Sequence, residues 1–213
     1  MSDRPTLVLA SASPARLRTL QAAGIHPEVL VSGVDESIIE ATNATRLCAT
    51  LARLKAEAVA TRLRQHRPGE LDTTLVLGCD SVLEFGGEIF GKPSDGAEAG
   101  KRWQQMRGRS GVLHTGHCLV EVGTDRVVER VANTTVYFAE VSDEEITAYV
   151  STGEPVHVAG AFTIDGLGGW FIERIDGDPG TVIGLSLPVL RAMLATLGLA
   201  VADLWTAPLA SGR

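Results

Sequence analysis

The stretch from Thr73 to Pro93 reads TTLVLGCDSVLEFGGEIFGKP. It opens on the apolar run Leu75-Val76-Leu77, bounded by Gly78 and ending at Asp80. A short run of β-formers flanked by glycine predicts a buried strand that delivers Asp80 where the chain leaves the core. Open α/β sheets hold their ligands outside the carboxyl ends of strands. A carboxylate there can bind a metal or accept a proton; it can also be a plain turn residue or a helix cap. Leu83-Glu84-Phe85, Gly86-Gly87 and Glu88-Ile89-Phe90 then spell a hairpin with a two-residue glycine turn. The hairpin leads to Gly91-Lys92-Pro93 and can bring Lys92 back toward Asp80. One acid and one base at a sheet edge suit metal-dependent phosphate chemistry, although a single lysine also reads as a solvated surface charge.

On the amino-terminal side, Thr6–Ala10 reads as a strand and Ser11-Ala12-Ser13-Pro14 follows at once. Ser13 is a good N-cap and Pro14 a good first helical residue. Leu17 and Leu20 keep helical spacing, and Gly24 can stop the helix. A strand, a tight turn and a helix N-terminus make an anion site, with Ser11 and Ser13 as hydroxyl donors and Arg16 as a guanidinium fork. A plain capped helix with a surface arginine fits the same letters. Pro27–Val31 reads as a second strand, delivering Asp35 and Glu36 into a loop as metal ligands or turn residues. Thr45–Arg64 reads as a long helix whose apolar side is Leu47, Leu51, Leu54, Ala58 and Leu63. Lys55 lies at the edge of that stripe, to snorkel or to reach into a cleft. Gln65–Asp72 is a polar loop.

Beyond the central stretch, Ser94 is expected to cap a helix with Ala99, Trp103 and Met106 inward. His114 and His117 precede a strand starting at Cys118. Two histidines three apart could be metal ligands, but in a strand or turn they diverge and no third soft ligand is obvious, so they read as structural residues or substrate-side contacts. Arg126–Phe138 is its partner strand, turned at Gly123-Thr124-Asp125. Ser142 and Glu145 form a capping box for a helix through Val150. The glycine-rich segment Gly153–Gly180 lets backbone pass close to a ligand and carries Asp165 as a third candidate carboxylate; it lacks the strand-to-helix context of a dinucleotide fingerprint. Trp170–Ile175 reads as a strand, and Ser186 caps a last helix stopped by Gly198. The tail from Thr206 reads as frayed.

Composition bounds the class. The chain has 213 residues, 45% hydrophobic and 21% charged, with a formal charge of −7. That balance is ordinary for a globular protein, and the negative charge argues against a nucleic-acid binder. No apolar run approaches the roughly 20 residues a membrane helix needs, and the first residues have too short an apolar core for a signal peptide. Cys48, Cys79 and Cys118 are widely spaced and without a CxxC, which points to reduced cytoplasmic thiols. Cys79 beside Asp80 reads as core packing.

Taken together, LASASPARL at 9–17, VDES at 34–37, LARLKAEAVA at 51–60, GCDSV at 78–82, GKP at 91–93, MRGRSGVLHTGH at 106–117, AGAFTIDGLGGWFIERIDGDP from 159 and VIGLSLPVL to 190 resemble the Maf family, the septum-formation-inhibitor-like nucleotide pyrophosphatases. The likeness runs from about Leu7 to Leu199. It implies one Maf-like domain over residues 1–213, α/β, with a mixed central sheet flanked by helices and two lobes around a central cleft. It implies a hydrolase that converts nucleoside triphosphates, standard or modified, to the monophosphate and pyrophosphate with Mg²⁺ or Mn²⁺. By the likeness, Asp80 is the general base, Ser11, Ser13, Arg16, Lys55, Lys92 and Asp165 bind substrate, and Glu36 and Asp80 hold the metal. A homodimer is the assembly kept in view. The chain departs from the family pattern at Ala15-Arg16, where many members have Arg-Arg, at Ser81, where Thr or Gln is frequent, and at Asp165, which replaces the Gln or Glu of I-Q-G or S-E-G. Pyrimidine-preferring members resemble the first pattern and members preferring 7-methylguanosine triphosphate the second; this chain matches neither, so the base stays open. The competing readings are a non-catalytic nucleotide-binding regulator of cell division and a phosphatase that releases orthophosphate.

Overall fold

The computed structural model describes residues 4–36, 39, 43–67, 69, 71 and 73–206. Strand β1 (Thr6–Leu9) leads into helix α1 (Pro14–Ala22), and the chain returns to β2 (Glu28–Val29). Helix α2 (Ala44–His66) precedes β3 (Thr74–Phe85), β4 (Glu88–Phe90) and α3 (Gly96–Met106). The long strands β5 (Ser110–Glu121) and β6 (Arg126–Phe138) are followed by α4 (Asp143–Ser151). Short 3₁₀ turns fill the chain to Phe171, and β7 (Ile172–Asp176), α5 (Pro179–Ile183) and α6 (Leu187–Leu197) complete the order. The described strands form one mixed sheet, β2-β1-β3-β5-β6-β7, with β4 added beside the far end of β3. β1 runs parallel to β2 and β3, and β5, β6 and β7 continue antiparallel. The fold is α/β with a mixed central sheet flanked by helices, as the resemblance implies.

β3 positions the site, and it differs from the sequence expectation. The strand does not end at Asp80; it continues through it to Phe85. Gly78 is no strand breaker here. A Cβ at Gly78 would stand 2.2 Å from the Ala52 carbonyl, and one at Gly116 would stand 2.3 Å from that of Cys48. Both glycines are where α2 lies directly on the sheet, so the missing side chains allow close approach. Strand alternation sends Val76, Gly78, Asp80 and Val82 toward α2, and Cys79 and Ser81 to the other face.

The edge of β3 changes partner along its length. β1 pairs as far as Leu9 opposite Leu77, and β4 begins pairing only at Leu83 opposite Phe90. Between those points β3 has no neighbouring strand on that side, and Asp80 lies in the gap. Apolar cores lie on either side of it. One gathers Leu9, Leu20, Leu77 and Leu190 around β1, α1 and α6, and is backed across the sheet by Ala56, Val59 and Val76 under α2. The other gathers Phe85, Trp103, Phe138 and Tyr149, where the Trp103 ring meets Phe138 edge-on at 5.7 Å and Tyr149 at 5.5 Å. The open edge between these two lobes is the cleft.

Several local expectations hold and several shift. The hairpin turns at Gly86 (φ 61°) and Gly87 (φ 85°), both in the left-handed region, and the Ser142–Glu145 capping box forms. The buried face of α2 is Cys48, Leu51, Ala52, Lys55, Ala56, Val59, Ala60 and Leu63. Leu47, Leu54 and Ala58 are off it, because the helix turns Cys48, Ala52 and Ala56 onto Gly116 and Gly78. Lys55 is therefore inside the buried face, not at its edge. Asp95, not Ser94, caps α3 by accepting from Glu98 N–H at 2.8 Å, while Ser94 N–H donates to the Glu98 carboxylate. β2 is shorter than Pro27–Val31, since it pairs only with Val8 and Leu9 of β1. β5 starts at Ser110, which places His114 and His117 inside a strand. Trp170 lies in a 3₁₀ turn before β7. Thr206 is tied down, its N–H donating to Gly24 O at 3.0 Å; the tail beyond it, like Pro68 and Asp72 of the loop and Ser37 of the VDES motif, lies outside the described residues. No helix among the described residues is long and apolar enough to cross a membrane.

Candidate active site

Lys55 is the centre of the cluster. It projects from α2 onto β3, and its Nζ lies 2.6 Å from Asp80 Oδ1 and 2.7 Å from Glu36 Oε1. Asp80 and Lys55 are both buried, whereas half of the Glu36 side chain is open to solvent. Burial pushes the Asp80 carboxyl above its ordinary value, against the pull of Lys55 and, less strongly, of Arg16. A carboxylate of raised proton affinity is the better proton acceptor, which is what a general base needs. One base between two acids leaves a surplus negative charge. The hard oxygens of Asp80 and Glu36 are of the kind that holds Mg²⁺ or Mn²⁺ together with phosphate oxygens. Among the described residues no group of three or more His, Cys, Asp or Glu side chains is placed to share an ion.

Arg16 emerges from the first turn of α1 and is nine-tenths buried. Its Nε donates to Gly184 O at 2.8 Å. Its Nη1 donates to Cys79 O at 2.8 Å and Ser11 Oγ at 3.0 Å, and Nη2 donates to Ser81 Oγ at 3.2 Å. Ser11 Oγ also accepts from Ser13 N–H at 3.2 Å. Ser13 caps α1 as expected, accepting from Arg16 N–H at 3.4 Å. Pro14 has no N–H and Leu17 N–H goes to Ser13 O, so the helix end offers a phosphate fewer free donors than the pattern alone suggests.

The remaining candidates are distributed around this core. Lys92 stands exposed after the hairpin and forms no ion pair with any described residue. The hairpin pairing ends with Phe90 opposite Leu83, two residues before Lys92, and among the described residues no ion pair joins Lys92 to Asp80. Asp165 is engaged by Thr163 Oγ1 and by Arg18 Nη2 of α1 at 3.0 Å. Arg18 has no motif signal and was not anticipated. Its pair with Asp165 links the α1 side of the cleft to the glycine-rich segment. The histidines diverge as expected. His114 Nδ1 pairs with Thr45 Oγ1 at 3.2 Å on the α2 face, and His117 Nε2 accepts from Ser186 N–H at 2.9 Å on the other. Cys79 is a buried free thiol, pushed up to about 11 by burial, consistent with packing and not with reactivity. Thr115 and Thr181, which extend the Arg16 network, were also missed, because a threonine in a strand or a short helix has no sequence signature.

A separate groove of about 430 Å³ opens beneath the exposed Trp170, lined by Tyr149, Phe171 and Val141 with the acids Glu140 and Glu145. It contains no base and none of the candidate residues, so a polyanion has no reason to bind there.

Residues 6–197 match the family model described as Maf-like protein. A nucleoside triphosphate pyrophosphatase of Salinispora tropica is 68% identical over 94% of this chain and 87% of its own. Proteins of the same name from Streptomyces avermitilis and Trichodesmium erythraeum are 51% and 48% identical, covering 97% and 94% of this chain and 98% of each relative.

Proposed function

The chain belongs to the Maf family, and from that premise we propose that it is a nucleoside triphosphate pyrophosphatase, cleaving between the α- and β-phosphates to give the monophosphate and pyrophosphate. The observation that carries the reading is Lys55 held between buried Asp80 and half-open Glu36 in the gap of β3. The cluster combines a carboxylate of raised proton affinity, a cation and a second acid on a cleft open to a nucleotide. Relatives that bear the pyrophosphatase name support it.

In this reading the triphosphate lies along the open edge of β3, with Lys92 and the Ser11–Ser13 turn facing its phosphates. Asp80 accepts the proton of a water that attacks the α-phosphorus, and pyrophosphate leaves. Lys55 works against the burial that raises the Asp80 carboxyl and meets the charge that develops on the phosphoryl oxygens. Glu36 is the partner that Lys55 can release as a phosphate arrives, because it is the exposed one of the two. A divalent cation held by Asp80 and Glu36 would neutralise phosphate charge and make the bound water more acidic. Asp165, next to Arg18, presents both an acceptor and a donor to the base or ribose.

The test is product analysis with a panel of NTPs, dNTPs and 7-methylguanosine triphosphate, with Mg²⁺ or Mn²⁺. Wild type is expected to release pyrophosphate. Asp80→Asn, folded to the same extent, is expected to lose roughly 10²–10⁴-fold in kcat, the usual weight of a general base. Orthophosphate as the product, binding without release, or near-normal turnover by the variant would overturn the proposal.

A further inference from the structure

We propose that Arg16 is a positioning residue of this site and not a phosphate ligand: it substitutes for the missing strand along the open edge of β3 and locks the Asp80 backbone to α5. The inference rests on the pyrophosphatase reading for its activity readout, but its geometry is independent of the substrate.

A guanidinium has five N–H donors. Four are taken: Nε by Gly184 O, both hydrogens of Nη1 by Cys79 O and Ser11 Oγ, and one of Nη2 by Ser81 Oγ. A bidentate grip on phosphate needs two parallel donors on one edge, and no edge of Arg16 retains a pair. The position of the Cys79 carbonyl explains the arrangement. Ala10 N–H donates to Leu77 O at 2.8 Å as β1 leaves the sheet. Carbonyls two residues apart on a strand point the same way, so Cys79 O faces the space β1 no longer fills. Buried carbonyls need partners, and Nη1 supplies this one directly beside Asp80.

The opposite side of the same strand extends the lock. Thr115 Oγ1 donates to Thr181 O at 2.7 Å. Its one proton is thereby used, so in the 2.8 Å contact with Ser81 Oγ it must accept. Ser81 accepts from Arg16 and donates to Thr115. The chain thus runs one way, from Arg16 through Ser81 and Thr115 to the Thr181 carbonyl of α5, with the hydroxyl protons of Ser81 and Thr115 both used. Thr115 and Thr181 are fully buried and cannot touch a nucleotide. Gly184, at φ 110° in the left-handed region, has no side chain in the way: a Cβ there would meet Arg16 Nε at 3.1 Å. Ser11, which accepts from both Ser13 N–H and Arg16, has its hydroxyl proton left over for the cleft. Arg16 therefore aims a substrate-facing serine while carrying no substrate contact of its own.

The proposal separates from phosphate binding by how kcat and KM respond. Thr115→Val breaks the chain at a residue remote from substrate, Thr115→Ser preserves it, and Arg16→Lys keeps the charge but cannot satisfy Gly184, Cys79, Ser11 and Ser81 together. Thr115→Val and Arg16→Lys are expected to lower kcat roughly 10- to 100-fold through misplacement of Asp80, with KM within about twofold of wild type. Thr115→Ser is expected to stay near wild type. Thr115→Val with unchanged kcat, or Arg16→Lys with a roughly tenfold higher KM and unchanged kcat, overturns the proposal. A triphosphate analogue with a methylene bridge between the α- and β-phosphates gives Kd by titration for the same variants. Its Kd is expected to stay within about twofold for Arg16→Lys, and a large rise overturns the positioning role. Failure of the pyrophosphatase reading is distinct: wild type itself would release no pyrophosphate, and the Kd comparison would still decide the role of Arg16.

Discussion

His117 shows how a single buried side chain couples this fold to pH. Its Nε2 accepts from Ser186 N–H, so the ring is needed in the neutral form. Burial, helped by the nearby Arg16 charge, lowers it to about 4, whereas an unfolded histidine titrates near 6.5. Between those values the unfolded chain holds the extra proton. Stability is then fully present above pH ~6.5 and is lost as pH falls toward 4, at about 1.4 kcal/mol per unit for this one group. Urea midpoints at pH 7.5 and 4.5 for wild type and His117→Gln test this. Wild type is expected to lose about 2–3 kcal/mol more than the variant over that interval; equal losses would show that other groups carry the pH dependence. At this scale residue types were legible and their duties less so. Asp80, Lys55 and Glu36 were named from sequence and lie together. Arg16 was named as a substrate ligand, and in the fold its donors meet four protein oxygens; an arginine after a capping serine reads the same in sequence whether its donors face a phosphate or the protein. Arg18 and Thr115 gave no signal, since their partners are remote in sequence and only the folded sheet brings them close.

The fit of α2 on β3 and β5 is where the elements set the site, and glycine makes that fit. With a Cβ at Gly116 only 2.3 Å from the Cys48 carbonyl, the helix would have to lift. Lys55 lies two turns further along the same helix and would move away from Asp80. Gly116→Ala is expected to destabilise the protein by roughly 3 kcal/mol, the upper range for overpacking, and to lower kcat together with stability. Gly100 of α3 is the matched control. Nothing lies within 4 Å of a Cβ there, so Gly100→Ala is expected to stabilise by about 0.5–1 kcal/mol through helix propensity. Urea unfolding of both variants checks the pair; the same sign of change in both would refute the close-approach argument. The same contact explains why β3 was misread. Glycine followed by Asp and Ser looks like the end of a strand, and only the helix lying on it shows why the strand continues. It also explains the shifted face of α2: Leu51 and Leu63 are buried as expected, but the contact with Gly78 and Gly116 turns Ala52, Ala56 and Cys48 to the sheet and leaves Leu47, Leu54 and Ala58 aside. The hairpin and the caps at Ser13, Ser142 and Ser186 were legible because their signals are complete within a few residues.

For the whole molecule the question is how a chain of charge −7 draws a polyanion to one cleft. The net field opposes approach, so attraction must be local and short-ranged. Lys92 is exposed at the hairpin end and Lys55 is buried against its two acids. These two lysines feel salt differently. Screening acts on exposed charges over a Debye length of about 10 Å at 0.1 M salt and barely reaches a buried pair. Raising NaCl from about 0.05 to 0.5 M is therefore expected to raise KM several-fold while kcat changes by less than about twofold. Lys92→Ala is expected to start from a higher KM and to show a flatter rise, because the screened contact is already gone. Steady-state kinetics for both proteins at matched Mg²⁺, with ionic strength varied by NaCl alone, measure the two slopes. Parallel slopes would mean that Lys92 does not face the phosphates. A kcat that falls with salt as steeply as KM rises would mean that the Lys55–Asp80–Glu36 cluster is open to solvent ions during turnover, contrary to the burial that raises the proton affinity of Asp80.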